Sequence, residues 1–217
     1  MSGLQSVIAK IEKARLAYDA HQIINLVAVS KYWETSQIIE LYSQGQRAFG
    51  ENKVQDLKTK HQLLEAYPLE WHFIGRIQEN KINALIDLKP SLIHSIESLK
   101  LAEAFQKRLQ RSGISQRVLL QINSSQEESK AGVHPQEAKE VYLAIKENCP
   151  NLILEGVMTI GAHTQDQSVI AKSFECTQKI FDSLPSASIL SMGMSGDYEL
   201  AIANGANLLR IGSAITP

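Results

Sequence analysis

Leu26-Val27-Ala28-Val29-Ser30-Lys31 is a short apolar run that ends on a lysine. The run reads as a buried strand. A lysine at its end sets a primary amine at the mouth of a core rather than on a solvated face. An amine placed there can attack an aldehyde to form a Schiff base. Alone, Lys31 could equally be the first polar residue after a strand, so the surrounding chain has to decide.

Outward from this run the chain alternates two periodicities. Leu4, Val7, Ile8 and Ile11 give a helical stripe ahead of it. Strand-like runs follow at 47–50, 71–74, 92–96, 118–122, 154–159, 189–192 and 208–211. Helical stripes separate them. Ile38, Ile39 and Tyr42 are closed by Gly45, and Val54, Leu57, His61 and Leu64 come next. Residues 77–88 are stopped by Pro90, and Leu101, Phe105 and Leu109 by Gly113. Pro135 opens a helix that turns Ala138, Val141, Tyr142 and Ile145 inward. Val169, Phe174, Thr177 and Phe181 mark a long helix, and 198–203 a short one ended by Gly205. Alternating strands and helices imply an α/β protein with a parallel sheet. Eight strands in 217 residues, a little under the usual ~250, favour a closed (β/α)8 TIM barrel, with residues 1–217 forming a single domain. An open doubly wound sheet is the runner-up, but no GxGxxG fingerprint follows the first strand.

Composition narrows the function classes. Hydrophobic residues make up 44%, which suits a soluble globular protein. Twenty-two basic residues face 23 acidic ones, and no basic block is interleaved with aromatics, so a nucleic-acid partner is not expected. No apolar run reaches the ~18 residues of a membrane span. The N-terminus reads as an amphipathic helix rather than a signal peptide. Cys149 and Cys176 form neither a close pair nor a metal spacing, so both are expected to be reduced and the protein cytoplasmic. The loop 123–132 is the most polar stretch and is expected to be mobile.

Chemistry in such barrels sits at the C-terminal ends of the strands, and the unusual polar residues collect there. Lys31 ends the first strand, Gly50-Glu51-Asn52 the second, and His72 lies on the third. Met192-Gly193-Met194-Ser195-Gly196-Asp197 follows the seventh and Gly212-Ser213 the eighth. The loops after strands seven and eight are the recurrent phosphate site of this fold. Ser195-Gly196 precedes a helix whose N–H groups can face an anion, Gly212 admits close approach, and Ser213 adds a hydroxyl. Strands eight and one become neighbours on closure, ~4.8 Å apart, so Lys31 stands beside that cradle. An amine next to a phosphate cradle suits a phosphorylated aldehyde. Pyridoxal 5′-phosphate fits best, and a sugar phosphate bound as in lysine-dependent aldolases also fits. Arg210, inside strand eight, is either a buried ion-pair partner or a contact for the cofactor's ring nitrogen or phosphate. His72, Trp33 and Trp71 read more simply as core residues.

These motifs resemble one known family along the length of the chain. Leu26–Lys31, Phe49-Gly50-Glu51-Asn52, Trp71-His72-Phe73-Ile74-Gly75, Gln78-Glu79-Asn80-Lys81, Ser191–Asp197 and Arg210-Ile211-Gly212-Ser213-Ala214 look like the pyridoxal phosphate homeostasis proteins. That family resembles the N-terminal barrel of alanine racemase, a fold-type III protein, without its C-terminal β domain. The resemblance implies that Lys31 holds the cofactor as an internal aldimine. It implies that Ser195, Gly196, Gly212 and Ser213 bind the phosphate, that Arg210 faces the pyridine nitrogen, and that Asn52, His72 and Met158 line the ring. It further implies a carrier or regulator with no established turnover, with apo pyridoxal-dependent enzymes as candidate recipients; a monomer is expected from the absence of an extra domain. Tyr32-Trp33 replaces the family's usual Thr-Lys after the lysine, and the chain stops at Ile215-Thr216-Pro217. A small pyridoxal-dependent racemase is the alternative. It would need a base opposite Lys31, from His72 or Tyr32.

Overall fold

Each strand carries two cores at once, which is why its sequence runs apolar instead of alternating with polar residues. The structure, a computed structural model, describes residues 3–125, 127 and 130–216. Its strands are β1 (Asn25–Val29), β2 (Ala48–Glu51), β3 (Glu70–Phe73), β4 (Leu92–Ile96), β5 (Gln116–Ile122), β6 (Leu152–Thr159), β7 (Ile189–Ser191) and β8 (Leu208–Ile211). They pair in parallel, in chain order, and close with β8 against β1. Val27, Leu92, Leu119, Met158 and Leu208 point inward and fill the barrel. Their neighbours along the strands, among them Ala28, Ile93, Val118, Val157 and Leu209, point outward into the larger core beneath the helices.

The helices are α1 (Gly3–Tyr18), α2 (Thr35–Ser43), α3 (Val54–Leu63), α4 (Ile82–Asp87), α5 (Leu99–Ser112), α6 (Ala138–Asn148), α7 (Gln167–Asp182) and α8 (Tyr198–Ile202). Local chemistry sets several ends. Ser98 accepts from Leu101 N at 3.2 Å to start α5, and Gly113, at φ 63°, ends it in the left-handed region. Asp166 starts α7 by accepting from Ser168 N at 2.8 Å. α1 comes before the first strand and packs on α8 and the turn after β8, taking the position of a closing helix.

The expected eight-stranded barrel is present, with shifted boundaries. The stripe at 77–88 is broken: a single 3-10 turn over Glu79–Lys81 precedes the six-residue α4. Pro135 lies in a turn, and α6 begins at Ala138. β1 stops at Val29, so Lys31 belongs to the turn beyond the strand. Of the polar loop 123–132, residues 126, 128 and 129 lie outside the described residues. The described part is tied down: Asn123 Nδ2 donates to Glu127 O at 2.9 Å, and Lys130 Nζ reaches Glu127 at 2.6 Å and Gly161 O at 3.1 Å.

Gly75 fixes how closely β3's exit passes β2's. A Cβ there would sit 1.9 Å from the carbonyl oxygen of Asn52. Backbone cannot yield that far without re-laying both turns. Gly75→Ala is therefore expected to destabilise the protein by about 2 kcal/mol or more, read from urea unfolding. An unchanged midpoint would contradict the close packing of these two turns.

Candidate functional site

The C-terminal mouth of the barrel opens into a cavity of about 820 Å³, within the range of small-molecule sites. Lys31 lines it, partly buried, with Nζ 4.9 Å from the Tyr32 ring centroid. The backbone that carries Lys31 is held unusually well. Ser30, just before it, donates its N–H to Gly50 O at 3.0 Å and its hydroxyl to Glu51 Oε1 at 2.5 Å. Its carbonyl accepts from Lys60 Nζ at 2.7 Å and from Trp33 N at 2.9 Å. Lys60 also pairs with Glu51 at 2.8 Å, inside the protein, while Glu51 Oε2 is buried with no hydrogen-bond partner among the described residues. β1, β2 and α3 thus meet on the residue that aims the amine.

Across the cavity the turns after β7 and β8 meet. Ser195 Oγ accepts from the N–H groups of both Gly212 and Ala214, each at 3.3 Å. Two backbone donors converging on one oxygen form a site that can take an anion's oxygen in place of the hydroxyl. A Cβ at Gly196 would meet nothing within 4 Å, so the adjoining space is open. α8 has only five residues, so these turn N–H groups, more than a helix dipole, supply the positive potential. Gly193 lets the β7 turn fold back: its φ is 94°, and a Cβ would lie 2.7 Å from Ala201 Cβ. Asp197 clasps the same turn, accepting from Met194 N at 2.6 Å. Burial raises its carboxyl above the usual range, against the lowering pull of that N–H and of Arg210.

Arg210 lines the cavity floor beside Met158 and is almost wholly buried. It makes no salt bridge among the described residues. Its Nη1 donates to Ser191 Oγ at 2.6 Å and its Nη2 to Thr159 O at 2.8 Å. Burial pushes its pKa down to about 10, with Asp197 pulling the other way, so it stays protonated at neutral pH.

Eight of the nine residues singled out in the sequence border this one cavity: Lys31, Asn52, Met158, Ser195, Gly196, Arg210, Gly212 and Ser213. His72 does not. Strand register puts it level with Leu92, one layer down, where it lines a separate cavity at the N-terminal end of the barrel. It cannot line a ring held at the other mouth, and its place in the third-strand motif reflects packing inside the barrel. Several contributors were not foreseen. Trp33, read as packing only, also lines the cavity, as do Gln37 and Thr216. His94 and Lys60 had no signal of their own, and with Glu51 and Ser191 from the quoted motifs they act through contacts between strands, or between β2 and α3, that linear spacing does not display.

Fold and site together define a class: a (β/α)8 barrel that presents a lysine beside an anion cradle at the C-terminal ends of its first and last strands. The profile of the alanine racemase N-terminal domain matches residues 6–216. A Helicobacter pylori relative named pyridoxal phosphate homeostasis protein is 59% identical over 210 residues, 97% of this chain and 95% of that one. PipY of Synechococcus elongatus, solved with pyridoxal phosphate bound, superposes with a TM-score of 0.82 at 29% identity, over 96% of this chain and 99% of that one. Alanine racemase of Clostridium difficile shares the fold, with a TM-score of 0.73 at 16% identity over 98% of this chain and 56% of that one. The chain belongs to the alanine racemase N-terminal domain family and, within it, to the pyridoxal phosphate homeostasis proteins.

Two predictions follow from the buried polar groups. Burial, together with the charge of Arg117, pushes His72 from an ordinary 6.5 to about 4. The unfolded chain therefore takes up a proton that the folded one refuses. The resulting stability is present above pH 6.5 and is lost as pH falls towards 4, by up to about 3 kcal/mol. Urea midpoints between pH 7.5 and 4.5 are expected to fall more steeply in wild type than in His72→Asn; parallel curves would refute the assignment. Lys60→Met leaves the Glu51 carboxylate buried without its cation. It is expected to cost about 3–5 kcal/mol in the same assay, and a loss below 1 would mean the pair is not closed from water.

Proposed function

We propose that this protein binds pyridoxal 5′-phosphate and serves vitamin B6 homeostasis by holding the cofactor rather than by turning over a substrate. Residues 1–217 would act as one domain. The observation that carries this reading is that Lys31, Ser195 and Gly212 border one cavity, with the N–H groups of Gly212 and Ala214 both donating to Ser195 Oγ.

The residues present fit the group. Lys31 offers a primary amine, and Ser30, Glu51 and Lys60 hold the backbone that aims it. Ser195, Gly196, Gly212 and Ser213 would receive the phosphate, with Ser195 Oγ giving up its place on two N–H donors. Asn52 and Met158 would line the ring, and Arg210 would face the pyridine nitrogen. When bound, pyridoxal phosphate supplies an electron sink that is strongest with its ring nitrogen protonated. Arg210, charged at neutral pH, disfavours a proton at that atom by like-charge repulsion, so these residues favour storage over carbanion chemistry.

The racemase alternative is less well served. Of its two candidate bases, His72 lines the other cavity, and Tyr32 is 81% exposed at the rim beside Lys31. Exposed Tyr32 and Met194 on the rim suit uptake and release. The partners in this reading are pyridoxal phosphate and the apo-enzymes that receive it, with no nucleic-acid or membrane partner. The protein would act as a monomer in the cytoplasm. Among the described residues no helix is long and apolar enough to cross a membrane.

The test is direct. Protein soaked in pyridoxal phosphate and desalted is expected to be yellow, with Lys31→Ala colourless and equally well folded. Borohydride reduction followed by peptide mass mapping should place the cofactor's mass on Lys31. A colourless wild type, or label on another lysine, would overturn the reading. Solvent deuterium entering the α-carbon of alanine or serine at enzymatic rates would favour the racemase instead.

A further inference from the structure

We propose that Ser191 and His94 are positioning residues for this cavity: with His72 they form a hydrogen-bond chain of fixed polarity that keeps Arg210 charged and aimed without a counter-ion. The part of the inference that concerns bound cofactor rests on the function proposed above; the chain itself does not.

The polarity follows from the chemistry of each member. A guanidinium has only donors, so at 2.6 Å Ser191 Oγ must accept from Arg210 Nη1. The hydroxyl then has one proton to give, and its other partner is His94 Nδ1, 3.1 Å away. Donation there satisfies a hydroxyl proton that is wholly buried, so His94 Nδ1 is the acceptor and the neutral ring carries its proton on Nε2. That atom lies 2.9 Å from His72 Nδ1. His72 Nδ1 must accept in turn, and its own proton sits on Nε2, on a residue that borders the cavity at the N-terminal end. Burial holds both rings in the neutral form this scheme requires.

Every bond therefore donates away from the guanidinium. Three successive dipoles turn their negative ends towards Arg210, and the Thr159 carbonyl adds a fourth. Aligned dipoles in a dry interior solvate a cation that would otherwise be costly to bury. They do so without a salt bridge among the described residues; Asp197, the carboxylate whose charge reaches Arg210, accepts from Met194 N instead. Reversing the chain would aim two N–H groups towards the cation and take from the buried Ser191 hydroxyl proton the acceptor it has in His94. The four members come from β3, β4, β7 and β8, so the chain exists only in the closed barrel.

The first experiment uses wild-type protein with no ligand added, labelled with 15N at histidine. Long-range 1H–15N spectra at pH 7 are expected to show His94 and His72 both neutral and both protonated at Nε2. A proton on Nδ1 of either ring, or a cationic ring, would overturn the proposal. The second uses protein loaded with pyridoxal phosphate. Relative to wild type, Ser191→Ala is expected to shift the pH midpoint of the visible band by about one unit or more and to weaken cofactor binding roughly tenfold, the worth of a hydrogen bond to a charged group. Ser191→Thr, which keeps the hydroxyl, is expected to restore both. A folded Ser191→Ala that titrates and binds like wild type would overturn the positioning role. If Ser191→Ala does not fold, His94→Phe breaks the chain one step further from the cavity and is read the same way. A wild type that takes up no cofactor would sink the proposed function, and the ligand-free spectra would still decide this proposal.

Discussion

A protonated guanidinium inside a barrel is expensive, and Arg210 is kept there with no salt bridge among the described residues, the charge of Asp197 reaching it only through space. The expense is met by oriented neutral groups, a serine hydroxyl, two imidazoles and a peptide carbonyl, contributed by four other strands. None of them can do this alone, and none is near Arg210 in the chain. His72, His94 and Ser191, on β3, β4 and β7, answer to this one demand, since an all-apolar interior would be easier to fill. Val27, Leu92, Leu119, Met158 and Leu208 share the barrel interior with them and fill the rest of it.

The amine side of the cavity is built on the opposite principle. There a full charge pair, Glu51 with Lys60, is buried beside Ser30 and pins the strand exit at several atoms. Buried pairs of this kind add little net stability but enforce one geometry, because every misplacement leaves a charge unpaired. The cation on the cavity floor, Arg210, is thus left without a salt bridge among the described residues, while Lys60, which supports the backbone, is paired. The two arrangements match the two tasks: to project a charge, and to fix a position.

Most of the fold was legible in the sequence because a parallel barrel writes its strands as apolar runs and its helices as stripes, separated by Gly, Pro and polar turns. Misplaced boundaries fell where local signals mislead. Pro135 fits a helix start but serves the turn before α6, and 77–88 contains a break that periodicity does not register. Of the site, the residues at strand ends were found, since strand order alone puts β8 beside β1. Inside the strands the reading was weaker. His72 and His94 both alternate towards the barrel interior, but only the register between strands shows which layer each occupies and that they meet. Glu51 was visible in a motif, yet its partner Lys60 lies on α3 and carries no sign in the linear chain of being the cation that closes the pair.

The cavity is assembled from the two extremes of the chain: the amine follows β1 and the anion cradle follows β8, with Val27 registered against Arg210 across the seam. During synthesis the first strand must therefore wait, one edge unsatisfied, until the final strand leaves the ribosome. A chain truncated before that moment carries Lys31 but lacks the turn after β8 that completes the cavity wall.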